Sequence, residues 1–232
     1  MNEKSNKSSN TTIKGVFYAI VPILGSLPIV LFLNDWYYNF QISKLTNDNT
    51  LLFIHDDVSQ LIIFFLPLSI VFLIIFTIKN YFNMNIMELK ICLVTTITIF
   101  IISVCVLSLN FFDYTDINKE GLHVRNSIFS NIKDYKWSEV TSAKVSYKRG
   151  NKGAIIISYD IYLNDGKIVN TNDSEYFFDN IIDLDNLIQN KKIAINRQKI
   201  LSSDYNDFVR QYKGPGSAKT DRLEVVLKIF DK

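Results

Sequence analysis

Residues 91–112 read ICLVTTITIFIISVCVLSLNFF, Ile91 to Phe112: 22 residues without a Lys, Arg, Asp or Glu. A helix over such a run rises about 1.5 Å per residue, enough to cross a hydrocarbon core of roughly 30 Å. Two upstream runs share the property, Val16–Leu33 with 18 residues and Val58–Ile78 with 21. Together they hold the excess that lifts apolar content to 48% against 21% charged residues. Burying such helices in a soluble core takes a shell of amphipathic partners, which the chain lacks. The runs therefore predict three transmembrane helices, at 16–33, 58–78 and 91–112, within a membrane domain of residues 13–112.

The flanks of these runs extend the reading. MNEKSNKSSNTT, residues 1–12, has no apolar side chain after the first and predicts a disordered tail. The first run is too long for the apolar core of a secretory signal, and LFLNDW offers no small-residue cleavage site. Pro22, Gly25, Pro28 and Pro67 predict kinks. No ionisable residue lies at mid-depth, which argues against a transport path. Cys92 and Cys105 fall about 220° apart around one helix and read as packing residues. With no other cysteine there is neither a disulfide framework nor a cysteine-based zinc site.

Lys4, Lys7, Lys14, Lys79 and Lys90 fall on one side of three such spans, and Lys44, Lys119 and Arg125 on the other. The excess places the N-terminus in the cytoplasm and the C-terminal portion outside, in a multi-pass protein of the cell membrane. Trp36, Tyr37 and Tyr38, Tyr81 and Phe82, and Phe111, Phe112 and Tyr114 read as aromatic belts at the interfaces.

Residues 113–232 carry 19 Lys plus Arg against 17 Asp plus Glu, the composition of one small domain of near-neutral charge. Leu122 and Val124 alternate with His123 and Arg125 after the turn Asn118–Gly121. Tyr135 and Trp137 alternate with Asp134 and Lys136. Ala143, Val145 and Tyr147 alternate with Lys144, Ser146 and Lys148, the period of a half-buried strand. Beyond the Gly150–Gly153 turn, Ile155, Ile157, Tyr159, Ile161 and Leu163 share one strand face. Asn164-Asp165-Gly166 is a hairpin signal, with a return strand over Lys167–Thr171. After Asp173 the period lengthens: Phe178, Ile181, Ile182, Leu184, Leu187 and Ile188 predict a helix capped by Ser174 or Asp179. Ile193 and Ile195 suggest a short strand, and Ser203-Asp204 caps a helix carrying Tyr205, Phe208, Val209 and Tyr212. Leu223–Phe230 is a last apolar segment of open type.

The run YTDINKEGLHVRNSIFSNIKDYKWSEVTSAKVSYK, Tyr114–Lys148, resembles the opening of bacterial pleckstrin-homology-like (PH-like) domains carried by small multi-pass membrane proteins. Trp137-Ser138-Glu139-Val140 stands at the family's hydrophobic-Lys-Trp step, and Ile182-Asp183-Leu184-Asp185-Asn186-Leu187 at its later helix. The likeness covers about half of the chain, and the segment after Lys191 departs from the family's single closing helix. The resemblance implies a curved antiparallel (PH-like) sheet capped by a helix; joined to the apolar runs, the expected fold is a membrane protein with three transmembrane α-helices followed by an α+β domain, 113–232, with that sheet and C-terminal helices. It also implies a binding or scaffolding role without catalysis.

Candidate sites are few. His55-Asp56-Asp57 sits at the start of the second run, where the acidic pair suits a helix N-terminus without further chemistry. His123 alternates onto the polar side of its strand. Neither histidine has the partners of a metal or acid/base site. Lys144, Lys148, Arg149 and Lys152 cluster at one hairpin tip. They are candidate ligands for lipid phosphate or an acidic partner, with a solvated strand edge as the simpler reading. KGPGSAKT, Lys213–Thr220, looks like a phosphate-binding loop. Counting back from Lys219-Thr220, however, its two required glycines fall on Lys213 and Ala218. The stretch reads instead as a helix stop, Gly214 then Pro215, and predicts no nucleotide binding. No hydrolase elbow, metalloprotease or dinucleotide motif occurs. The charge balance likewise gives no nucleic-acid footprint.

The expectation is a non-enzymatic integral membrane protein without cofactor or metal, presenting its domain to the lipid bilayer, a partner protein or an envelope component. An accessory subunit of a transporter or permease is the alternative, and a membrane hydrolase is a more distant one.

Overall fold

The computed structural model describes residues 3–55, 57–80, 85–172, 174, 176–213 and 222–230, and side chains from Leu24 onward apart from residues 57, 60, 78–80 and 152. The chain divides into two units, residues 1–44 with 56–112, and residues 45–55 with 113–232.

The first unit consists of helices α1 (Glu3–Leu45), α2 (Asp57–Asn80) and α3 (Ile86–Asn110). Asn85 starts α3 with a capping box: its side-chain oxygen accepts the Glu88 N–H at 2.9 Å, and the Glu88 carboxylate accepts the Asn85 N–H at 3.2 Å. Tyr37, Tyr38 and Ile63 form a small buried cluster with Leu33, Leu107 and Phe111 around it. The Tyr37 hydroxyl donates to the Leu107 carbonyl at 2.9 Å, and the Gln41 amide to that of Phe111 at 2.8 Å. The Leu107 carbonyl also accepts the Phe111 N–H at 2.9 Å, whereas the Phe111 carbonyl lies past the last turn of α3.

These helices correct the three-span expectation. Among the described residues only α3 is long and apolar enough to cross a membrane. In α2 the apolar stretch whose side chains are described is Leu61–Thr77, 17 residues covering about 25 Å. The run 16–33 lies inside α1, and its side chains before Leu24 are outside the described residues. The sidedness expectation counted three crossings and lapses with them. Two members of the expected aromatic belt, Tyr37 and Tyr38, are interior packing residues; Tyr81 and Phe82 lie outside the described residues. Residues 3–12, expected to be a disordered tail, belong to α1.

Among the described residues the second unit holds two four-stranded sheets, which corrects the expected single antiparallel sheet. The first is β1 (Thr50–His55), β2 (Asp113–Asn118), β3 (Gly121–Asn126) and β4 (Lys133–Lys136), antiparallel in that order. β1 comes from the segment between α1 and α2, so the unit begins well before residue 113. Asn47 opens it with an Asx turn, its side chain accepting the Asn49 N–H at 2.8 Å. At the β2–β3 turn the Asn118 side chain accepts the N–H groups of Glu120 and Gly121 at 2.8 and 3.0 Å. Trp137, placed in a strand by the alternation, opens a 3₁₀ turn, Trp137–Glu139, and donates its indole N–H to the Lys119 carbonyl at 3.1 Å.

The second sheet has the order β7 (Ile168–Asn170), β6 (Ile155–Leu163), β5 (Val140–Arg149), β8 (Ala194–Arg197). β8 runs parallel to β5 and the other pairings are antiparallel. The hairpin over 164–166 forms as the Asp-Gly signal predicts, Gly166 holding φ at +84°.

Helices α4 (Phe177–Asn190), α5 (Tyr205–Tyr212) and α6 (Arg222–Phe230) complete the unit. One core joins Leu52, Ile117 and Leu122 of the first sheet, Val145, Tyr159 and Ile161 of the second, and Ile181, Leu184, Phe208 and Ile229 of the helices. Tyr176 stands at the N-cap of α4 without a side-chain cap bond, where Ser174 or Asp179 was expected.

Candidate functional site

The basic hairpin tip does not form one patch. β5 alternates, with Val145 and Tyr147 turned into the core and Lys144 and Lys148 exposed on the opposite face. Arg149 is engaged elsewhere: its guanidinium meets the Asp204 carboxylate at 2.6 Å and that of Asp207 at 3.0 Å. These acids raise the Arg149 pKa further, through the Asp204 hydrogen bond first. Asp204 in turn is held below the usual carboxylate range, chiefly by Arg149 and then by the Tyr147 hydroxyl, which donates to it at 2.8 Å. Asp204 is the α5 N-cap residue expected from sequence, yet its side chain makes no cap bond. Its carboxylate fastens α5 to β5 instead. The Lys152 side chain lies outside the described residues.

A second ionic pair closes the interior. Arg197, on β8, bonds both carboxylate oxygens of Asp185, on α4, at 2.8 and 3.0 Å. The same carboxylate accepts the Tyr159 hydroxyl at 3.0 Å and the Gln189 amide at 2.7 Å, and Arg197 also donates to the Ile229 carbonyl. Burial, then the Asp185 charge, pushes the Tyr159 phenol far above its ordinary value. A third pair, Lys133 with Asp165, ties β4 to the β6–β7 turn, and the Tyr135 hydroxyl donates to Asp165 at 2.7 Å. Lys133 holds the Asp165 carboxyl well below the carboxylate range.

A polar concavity of this unit is a cavity of about 600 Å³ bordered by Glu120, His123, Asp134, Lys136, Trp137 and Lys191. Asp116, His123 and Asp134 are opposite one another across β2, β3 and β4, and so share one sheet face. His123 Nδ1 lies 2.5 Å from Asp134 Oδ1. Asp116 is buried, and one of its oxygens accepts the Asn118 amide at 3.1 Å. Among the described residues no Ser, Thr or Cys is hydrogen-bonded to the His123 ring, so the pair has the form of a base and its orienter without a nucleophile. Both signs of charge at its rim suit a polar partner group. Sequence reasoning singled out His123 but not Asp134; the register that pairs them is the signal that could have found it.

The remaining candidates separate. His55 ends β1, buried and opposite Tyr114, two strands from His123 and two residues out of its row. Asp56 lies outside the described residues and Asp57 opens α2. Cys92 and Cys105 are free thiols on α3. Among the described residues no group of three or more His, Cys, Asp or Glu side chains is placed to hold a metal ion. The phosphate-loop lookalike follows helix α5, whose C-cap is Lys213, and residues 214–221 lie outside the described residues.

No protein family, curated protein or solved structure matches the chain. The PH-like resemblance therefore rests on the residues quoted for it alone.

Proposed function

We propose that this chain is a non-enzymatic, membrane-anchored binding or scaffolding protein, held in the bilayer by α3 and presenting its C-terminal α+β unit to a partner protein or envelope component. The observation that carries this reading is α3 itself: 25 residues, overwhelmingly apolar, with no buried side chain. Such a surface in water is unfavourable by about 25 cal/mol per Å² of apolar area. A bilayer removes that penalty at the length α3 provides. The role of the C-terminal unit is supported by how its charges are used. Arg149, Arg197 and Lys133 each hold one structural element to another through a carboxylate, the pattern of a scaffold more than of a reaction centre.

Alkaline carbonate extraction of membranes from cells expressing the full chain tests the anchor. The chain stays in the pellet, and Ile97→Lys with Ile101→Lys moves it to the supernatant. Recovery of the unaltered chain in the supernatant defeats the reading. Crosslinking in native membranes then identifies the partner.

An accessory subunit of a transporter or permease is the second reading, favoured by an apolar groove of about 760 Å³ along α2 and α3, lined by Leu61, Phe65, Leu68, Phe72 and Ile99. Co-purification with other membrane subunits, lost on Phe65→Ser with Phe72→Ser, separates it from the first.

A further inference from the structure

The β3–β4 connection shows three apolar side chains to solvent within five residues: Phe129 is 87% exposed, Ile132 48% and Ile128 37%. Single exposed apolar residues are ordinary, but a cluster at one tip marks a contact surface. The backbone beneath it is fixed. The Ser130 hydroxyl accepts the N–H groups of Asn126 and Ser127 at 3.1 and 3.0 Å and donates to the Ser127 carbonyl at 2.9 Å. The Arg125 guanidinium grips the carbonyls of Ser127 and Ile128 at 3.0 and 2.8 Å. A tip ordered in advance loses little entropy on docking. Two cationic groups stand at its base, Arg125 and Lys167, whose ammonium donates to Asn126 at 3.1 Å; Lys133 beside them is paired with Asp165.

Its occupant follows from chain continuity. Asn126, the last residue before the tip, pairs directly with Asp113, and Asp113 is the first residue after the segment containing α3. The tip thus belongs to the strand end at which the chain leaves its membrane-crossing helix. We propose that Ile128, Phe129 and Ile132 form a wedge that enters the interfacial zone of the bilayer, with Arg125 and Lys167 at headgroup level. This rests on the anchoring of α3 and adds a second, superficial membrane contact made by the folded unit.

The test uses the full chain, with Cys92→Ser and Cys105→Ser, reconstituted in vesicles of phosphatidylcholine with phosphatidylglycerol. A fluorophore is attached through Asn131→Cys, beside the wedge, or through Ile97→Cys, in α3. Quenching by lipid-borne nitroxide is compared with quenching by aqueous iodide. The expected result is lipid quenching at both positions, with the ratio at position 131 falling by about fivefold on Ile128→Ser with Phe129→Ser as the tip returns to water. Lipid quenching at 97 with iodide quenching at 131 overturns the wedge and leaves the tip to a protein partner. Iodide quenching at 97 overturns the anchor, and the wedge with it.

Discussion

Asp185 and Arg197 form a paired charge in the interior of the C-terminal unit, the aspartate side chain fully buried and the arginine 10% exposed. The pair joins α4 to β8, and with Tyr159 and the Ile229 carbonyl it also reaches β6 and α6. Desolvating two charges offsets much of their attraction, so the pair itself is worth little over an apolar replacement. Removing one partner is different. Asp185→Ala leaves the interior Arg197 guanidinium without its counter-charge and lowers stability by about 3–5 kcal/mol. Asp185→Leu combined with Arg197→Met recovers most of that loss. Urea unfolding followed by tryptophan emission measures both, and equal losses for the single and double variants would sink the argument.

The Arg149–Asp204 pair makes a prediction about acid. The folded-state pKa of Asp204 is lowered from its ordinary 3.8, by Arg149 first and Tyr147 second. A depressed carboxylate contributes stability that is complete above the unfolded value and lost as pH falls through the folded one. The unaltered chain should therefore hold its urea midpoint down to about pH 4 and lose part of it below that. Asp204→Asn begins lower at pH 7 and declines less steeply in acid, because the titrating group is gone. Parallel pH profiles for the two proteins would show that Asp204 is not among the groups that set acid stability.

Much of the C-terminal unit was legible because its strands are half-buried. Val145, Tyr147, Ile157, Tyr159 and Ile161 alternate in sequence as they alternate in space, and the 3.6 period located Ile181, Leu184 and Ile188 on α4. β1 was not legible for the converse reason. Leu52, Phe53 and His55 are all buried, so both faces are covered and TLLFIH shows no alternation to read. The direction of β8 was also hidden, since an alternating tetrapeptide pairs either way. For the candidate site the limit was distance along the chain. Arg149 looked like part of a free basic tip, and the acid that claims it lies 55 residues on. The apolar runs misled in another way: composition gave three lengths, while among the described residues only α3 qualifies as a span.

Gly121 opens β3 where a side chain has no room. A Cβ there would stand 2.1 Å from the Tyr135 carbonyl oxygen across the β3–β4 pairing, and the obstacle is backbone. Gly121→Ala must push β4 away, at about 1–3 kcal/mol for overpacking of this kind. Trp137 follows β4 directly and its indole bonds to the Lys119 carbonyl, so it reports the displacement. A lower melting temperature with red-shifted tryptophan emission is the expected outcome. An unchanged melting temperature would mean the turn can open without strain.

The strand from the α1–α2 connection decides what the C-terminal unit needs in order to fold. Leu52 is fully buried opposite Ile117, and the Asn180 side chain on α4 donates to the Leu51 carbonyl at 2.7 Å, so β1 is bound both to the sheet edge and to a helix. A fragment of residues 113–232 leaves the β2 edge unpaired and opens the space Leu52 fills. Truncating Leu52 alone to Ala should cost about 2–5 kcal/mol. The fragment should therefore be poorly folded, its β2 amides exchanging rapidly with solvent. Joining residues 45–55 to it through a flexible Gly/Ser linker should restore a cooperative melt and slow exchange at Thr115 and Ile117. If 113–232 alone melts as sharply and as high as the linked form, β1 is an accessory to the sheet and the unit begins at Asp113 after all.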